Sequence, residues 1–246
     1  MSYDILSFDL DGTLVDTAGE IAEAANCALQ DHGIAPRSQI EITHLIGGGS
    51  RELMLKLLAR LYLAQPTLVE TAPAEAVLAS FEQHLDVTLG TVAMAYAGAH
   101  EALAGLQRAG LRLACVTNKE LRHARRVLQA ARLLPFFELI VAGDSLPHKK
   151  PHASVLRHVA ATFGGDTQRM AHVGDSSVDV AAACNAGVAA WAVPYGYNAG
   201  VPIAEARPQR IFASLRQVAE FVLDASADAD CLRPPAGGRR AAPLNF

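Results

Sequence analysis

An apolar strand that runs straight into two carboxylates on alternate positions is the feature that most restricts what this chain can become. Tyr3 to Phe8 reads as a short strand, and Asp9-Leu10-Asp11-Gly12-Thr13 follows at once. The period of two that strands impose starts the Asp9 and Asp11 side chains on one face. Gly12 then supplies turn angles that other residues avoid. Open parallel sheets place their ligand sites at the carboxyl ends of strands, where these two residues fall. Two close carboxylates repel unless one keeps a proton or a cation sits between them, so the pair points to a metal site, an acid/base pair or both. The plain alternative is an Asp-rich turn, which the position directly after a strand argues against.

Beyond Thr17, a plausible helix cap, the periodicity is helical. Ile21, Ala24, Ala25, Ala28 and Leu29 recur at three- and four-residue spacing until Gly33. Further helices are expected over Ser38 to Ile46, Ser50 to Leu63 and Pro73 to Leu89, with Gly47-Gly48-Gly49 as a loop and no strand between residues 17 and 90. From Tyr96-Ala97-Gly98 onward the pattern alternates. Helices are expected at His100 to Ala109, Leu121 to Ala131, Ser154 to Phe163, Val178 to Ala186 and Ser214 to Asp224. Strands are expected at Leu111 to Val116, Leu139 to Ala142, Met170 to Val173 and Ala189 to Val193. Such alternation implies a parallel sheet with crossover helices, an α/β fold of the Rossmann-like kind. The expected organisation is a core of residues 1–15 and 95–224, an inserted all-helical cap domain of residues 16–94, and a flexible tail from 225 to 246.

Composition narrows the function classes. Half of the 246 residues are apolar, enough for a sizeable core. The net charge of -4, from 21 basic and 25 acidic residues spread along the chain, offers no basic stripe for nucleic acid and no polybasic membrane anchor. Cys27, Cys115, Cys184 and Cys231 lack paired spacing and read as reduced thiols. The chain enters a strand almost immediately and contains no run of about 18 or more apolar residues, so a cytoplasmic location is expected.

Four strand ends carry polar groups able to meet phosphate or metal, and parallel connectivity brings those ends to one edge. Asp9 and Asp11 are the first. Thr117-Asn118 is the second, with a hydroxyl and an amide at a helix start, where an ordinary N-cap is the competing reading. The third is Lys149-Lys150-Pro151, which alternatively is a solvated charge pair. In the fourth, Gly174-Asp175-Ser176-Ser177-Val178-Asp179, Asp175 and Asp179 stand one turn apart and can face one centre, or serve as a helix cap.

In this order, Asp9-Leu10-Asp11-Gly12-Thr13, Thr117-Asn118, Lys150-Pro151 and Gly174 to Asp179 resemble the motifs of the haloacid dehalogenase-like (HAD) hydrolases, over about residues 3–224. Val116-Thr117-Asn118-Lys119, Gly143 to His152 and Tyr195-Gly196-Tyr197-Asn198 are closest in wording to the phosphoglycolate phosphatases of that family. Tyr96-Ala97-Gly98 departs from the usual Tyr-Pro-Gly, and His152-Ala153-Ser154 from the usual Pro-x-Pro. The resemblance implies a phosphatase of a small phosphorylated metabolite, with 2-phosphoglycolate leading. The alternatives are another small metabolite or sugar phosphate, or a phosphomutase of the β-phosphoglucomutase type. It further implies an aspartyl-phosphate formed on Asp9, Asp11 as acid and base, and Thr117 and Asn118 on the phosphoryl oxygens. Lys150, rather than Lys149, would offset charge. Magnesium would be held by the Asp9 and Asp175 carboxylates and the Asp11 backbone carbonyl, with Asp179 supporting that shell or orienting Lys150. The cap would act as a lid, with Arg51 after Gly47-Gly48-Gly49 a candidate partner for a substrate carboxylate. A Schiff-base branch would need a cap lysine; Lys56, the only lysine between residues 17 and 95, reads instead as a solvated helix residue. Neither nucleic acid nor membrane is an expected partner, and the protein is expected to be a monomer or homodimer.

Overall fold

A computed structural model of the chain describes residues 3–231. The opening strand is β1 (Ile5–Phe8), and all four of its residues are buried. A strand covered on both faces needs a layer on each side, and the order along the chain supplies them. β2 (Val15–Asp16) leads into α1 (Ala18–Asp31), α2 (Gln39–Thr43), α3 (Ser50–Ala64), α4 (Leu68–Thr71) and α5 (Ala74–Thr88), after which β3 (Met94–Ala95) returns. Then come α6 (Ala99–Arg108), β4 (Arg112–Val116), α7 (Leu121–Ala130), β5 (Leu139–Val141), α8 (Ser154–Thr162), β6 (Met170–Gly174), α9 (Ser177–Ala186), β7 (Ala189–Ala192), β8 (Arg210–Ile211) and α10 (Leu215–Cys231).

Six strands form one parallel sheet in the order β5-β4-β1-β6-β7-β8. Side chains alternate across it. Leu6, Phe8, Leu113, Cys115 and Trp191 join one core with α6, α7 and α10, whereas Ile5, Ala114, Val116, Met170 and Ala190 join a second with α8 and α9. β1 is central, with Phe8 in register with Cys115 on one side and Val173 on the other. The residues just past these positions therefore emerge together at one edge.

The helical stretch packs on itself, α1 against α5 and α2, and α3 against α5. Its two connections to the sheet run side by side as a short antiparallel ribbon, Val15 opposite Ala95 and Asp16 opposite Met94. Those two-residue strands, like β8, were not expected: none is long enough to show alternation, and both residues of β8 are exposed. α10 continues to Cys231 rather than stopping at Asp224, since the alternating alanines from Ala225 onward favour helix. The expected tail thus overlaps this helix, and its remainder, 232–246, lies outside the described residues.

Candidate active site

Asp9 leaves β1 with its backbone N–H donating to Val173 at 2.9 Å, which fixes its position between the ends of β4 and β6. Its carboxylate meets the Lys150 ammonium at 2.8 Å, and the same ammonium lies 2.6 Å from Asp179. Lys150 is 1 % exposed, so these two carboxylates are its countercharges. Asp179 is fully engaged. His172 lies 3.2 Å from one oxygen, and the other accepts the Ser176 hydroxyl at 2.6 Å and the Ser176 N–H at 3.1 Å. Burial holds the His172 imidazole below its usual range, so it is neutral; Nε2–H then donates to Asp179, and Nδ1 stands 2.9 Å from the Ser7 hydroxyl. Asp179 thus touches the Lys150 ammonium and caps α9.

Asp175 follows β6. It accepts from the Thr13 hydroxyl at 2.7 Å and from the Tyr197 N–H at 2.5 Å. Two glycines press on it. Gly12 has φ +84°, and a Cβ at Gly12 or at Gly196 would collide with the Asp175 carboxylate. Asp9, Asp175 and Asp179 offer carboxylate oxygens all within 4.8 Å of one another. Burial raises the Asp9 carboxyl to about 7, with Asp179 and Asp11 adding to the rise and Lys150 opposing it. Burial, then Asp179 and Asp9, raises Asp175 well above the carboxylate range. Asp179 goes the other way, because Lys150 and His172 outweigh its burial. The cluster thus crowds three carboxyl groups against one lysine, which is why two of them resist ionisation, and its ligand atoms are all oxygen, a set that fits a hard divalent cation.

Asp11 is held from two sides, by the Thr17 hydroxyl at 2.6 Å and by the Lys119 ammonium at 3.0 Å. Thr17 occupies the N-cap position of α1, yet its hydroxyl is given to Asp11 instead of to the helix. Lys119 did not stand out in the sequence as a functional residue, because its partner lies far away along the chain. The available signal was its place directly after Thr117-Asn118 at the end of β4. Tyr197 was also missed: its hydroxyl accepts from the Thr17 and Ala18 N–H groups and donates to Asp16, tying the loop that carries Asp175 to the start of α1.

One cavity brings most of the expected residues together. Asp9, Asp11, Thr117, Asn118, Lys119 and Asp175 form its polar lining, and Ile46, Leu53, Phe81, Leu85 and Leu89 its apolar lining. Asn118 lines this cavity and also makes contacts of its own. Its side-chain N–H groups already donate to Gly47 at 2.9 Å and to Lys150 carbonyl at 3.0 Å, so this amide ties the Gly47 loop to the sheet edge. Arg51 does not line the cavity. Its guanidinium pairs with Glu75 at 2.7 Å and is 59 % exposed, because one step along a helix turns a side chain about 100° and it is Ser50 that faces inward. Lys149 lies 3.2 Å from Glu52, and Lys56 forms an exposed pair with Glu52 at 2.7 Å, which is the solvated role expected of it.

Known proteins resemble this chain in sequence and fold. The family model described as haloacid dehalogenase-like hydrolase matches residues 3–187. A phosphoglycolate phosphatase of Nitrosospira multiformis is 37% identical over 218 residues, 89% of this chain and 95% of that protein. One from Pseudomonas syringae pv. tomato is 35% identical over 236 residues, 94% of this chain and 83% of its own. The crystal structure of a predicted phosphoglycolate phosphatase from Haemophilus somnus superposes with a TM-score of 0.81 at 29% identity, covering 90% of this chain and 98% of that one. With the family's four motifs gathered at one sheet edge, the chain belongs to the haloacid dehalogenase-like hydrolases.

Proposed function

We propose that the protein is a phosphoric monoester hydrolase that releases inorganic phosphate from 2-phosphoglycolate, through a phosphoryl group carried on Asp9. The observation that carries this reading is the gathering of Asp9, Asp11, Thr117 and Asp175 in one cavity with Lys150 2.8 Å from Asp9. Phosphoryl transfer needs an in-line nucleophile, neutralised equatorial oxygens and a proton for the leaving oxygen. Asp9 attacks phosphorus, the bond from phosphorus to the leaving oxygen breaks, and Asp11 delivers the proton that makes glycolate a neutral alcohol at that oxygen. Water then attacks the phosphoryl group, Asp11 takes its proton back, and phosphate departs with the Asp9 carboxylate restored. The Thr117 hydroxyl holds a phosphoryl oxygen, and Lys150 offsets the charge gathered at Asp9. The choice of 2-phosphoglycolate rests on the names of relatives that match nearly the whole chain.

Magnesium is the proposed metal, held by the Asp9 and Asp175 carboxylates and the Asp11 backbone carbonyl; when bound it supplies charge neutralisation for the phosphoryl group. Residues 1–15 with 95–224 act as the catalytic core and 16–94 as a lid that excludes water, with the β2–β3 ribbon as the crossing between them. The test is phosphate release from a panel of small phosphate esters, with magnesium and with a chelator. Release led by 2-phosphoglycolate and abolished by chelation is expected. Isomerised phosphate without free phosphate would replace this reading with a mutase, and release that survives chelation would remove the metal from it.

A further inference from the structure

The lysines and arginines around the cavity are nearly all committed elsewhere: Arg51 to Glu75, Lys149 to Glu52, and Lys150 to Asp9 and Asp179. Among the described residues that line the cavity, Lys119 is the only lysine or arginine. Its side chain is 7 % exposed, and the acceptor the structure gives its ammonium is Asp11 at 3.0 Å. An ammonium has three donors, so two remain for a ligand. If Asp11 protonates the leaving oxygen, that oxygen sits against Asp11. A carboxylate on the next carbon then falls within a few bonds of the same point, in front of Lys119.

The next residue along the chain, Glu120, lines the same cavity. Glu120 accepts the Ser50 hydroxyl at 2.6 Å. Its burial favours the neutral acid, but His123 and Ser50, with the nearby Lys119 charge, hold it ionised with a pKa of about 2. His123 in turn lies 2.8 Å from Asp86 and 3.5 Å from Glu120, so two carboxylates already flank it. Besides Lys119 the cavity thus presents the Glu120 carboxylate and an apolar lining.

We infer that Lys119 is the specificity-determining residue of this site, pairing with a single carboxylate on the carbon next to the leaving oxygen, while Glu120 rejects leaving groups that carry a further negative charge. This rests on the phosphatase reading above and assigns the recognition of the substrate's organic end to Lys119, not to Arg51.

The test compares kcat/KM for 2-phosphoglycolate with that for ethyl phosphate, which keeps the two carbons and lacks the carboxylate. Wild type favours 2-phosphoglycolate. Lys119→Met lowers that preference by about 10- to 100-fold, the range expected for one charged hydrogen bond, and Lys119→Arg restores most of it. A Lys119→Met variant that loses both activities equally, with the preference intact, overturns the inference and leaves Lys119 as a group that only positions Asp11. A wild type that releases phosphate from neither ester overturns the phosphatase reading itself. A measurement without any variant guards against misfolding: glycolate competes with ethyl phosphate in wild type, and the neutral isostere glycolamide does not. Equal inhibition by the two would also overturn the assignment.

Discussion

Lys150 is the residue on which the inner end of the site balances. It is buried between Asp9 at 2.8 Å and Asp179 at 2.6 Å, and its ammonium is held well above the usual lysine range because those carboxylates outweigh the cost of burial. Replacing one member of such a group leaves uncompensated charge inside the protein. Lys150→Met is therefore expected to lower unfolding stability by about 3–5 kcal/mol, read from urea denaturation. A loss below about 1 kcal/mol would show that the pair is dispensable to the fold. Glu120 gives a pH-dependent counterpart. Its folded pKa of about 2 lies below the ordinary glutamate value of 4.5, so the stability it contributes is complete above pH 4.5 and disappears as pH falls toward 2. Glu120→Gln should flatten the acid limb of stability in that window and leave the neutral region's slope unchanged. An acid limb identical to wild type would contradict the assigned ionisation.

Among elements, the return from the helical block depends on one side chain of α1. Glu20 is 1 % exposed, and it accepts the backbone N–H groups of Gly90 at 3.0 Å, Val92 at 2.7 Å and Ala93 at 2.9 Å. That carboxylate shapes the segment between α5 and β3, and so sets how the second crossing reaches the sheet. Glu20→Ala should cost about 1–3 kcal/mol and make residues 90–93 an early site of limited proteolysis, with Glu20→Gln less severe because one acceptor remains. Cleavage there at the wild-type rate would refute this role. Glu20 also marks the limit of what the sequence discloses. A glutamate at a helix position reads as solvated, and its acceptor role appears only once residues 90–93 fold back onto α1. The long elements were legible because burial imposes period: β1, β4, β6 and β7 through apolar runs ended by polar residues, and α1, α3 and α5 through three- and four-residue spacing. At the site, Asp9, Asp11, Thr117 and Asp175 were legible because each ends or follows such a run. Lys119 was not, since its contact with Asp11 is a fact of the β4–β1 pairing. Arg51 was misplaced because a glycine-rich loop before a helix does not reveal which residue of the first turn faces inward.

At the scale of the whole molecule, a parallel sheet presents its chemistry at one edge and the helices of residues 16–94 cover that edge. The cavity between them is polar where β1, β4 and β6 end and apolar where α3 and α5 supply Leu53, Phe81 and Leu85. Asn118 joins the two parts through Gly47, Glu120 joins them through Ser50, and Tyr197 joins the Asp175 loop to the first turn of α1. Among the described residues no helix is long and apolar enough to cross a membrane. The proposed chemistry stands or falls on whether Asp9 carries the phosphoryl group. The most direct measurement is intact mass after acid quench of wild type and Asp9→Asn turning over 2-phosphoglycolate in magnesium. The expected result is a species heavier by one phosphoryl group in wild type, mapped to the peptide containing Asp9, and neither that species nor appreciable phosphate release in a folded Asp9→Asn variant. Phosphate release by Asp9→Asn at a rate near wild type would contradict that chemistry.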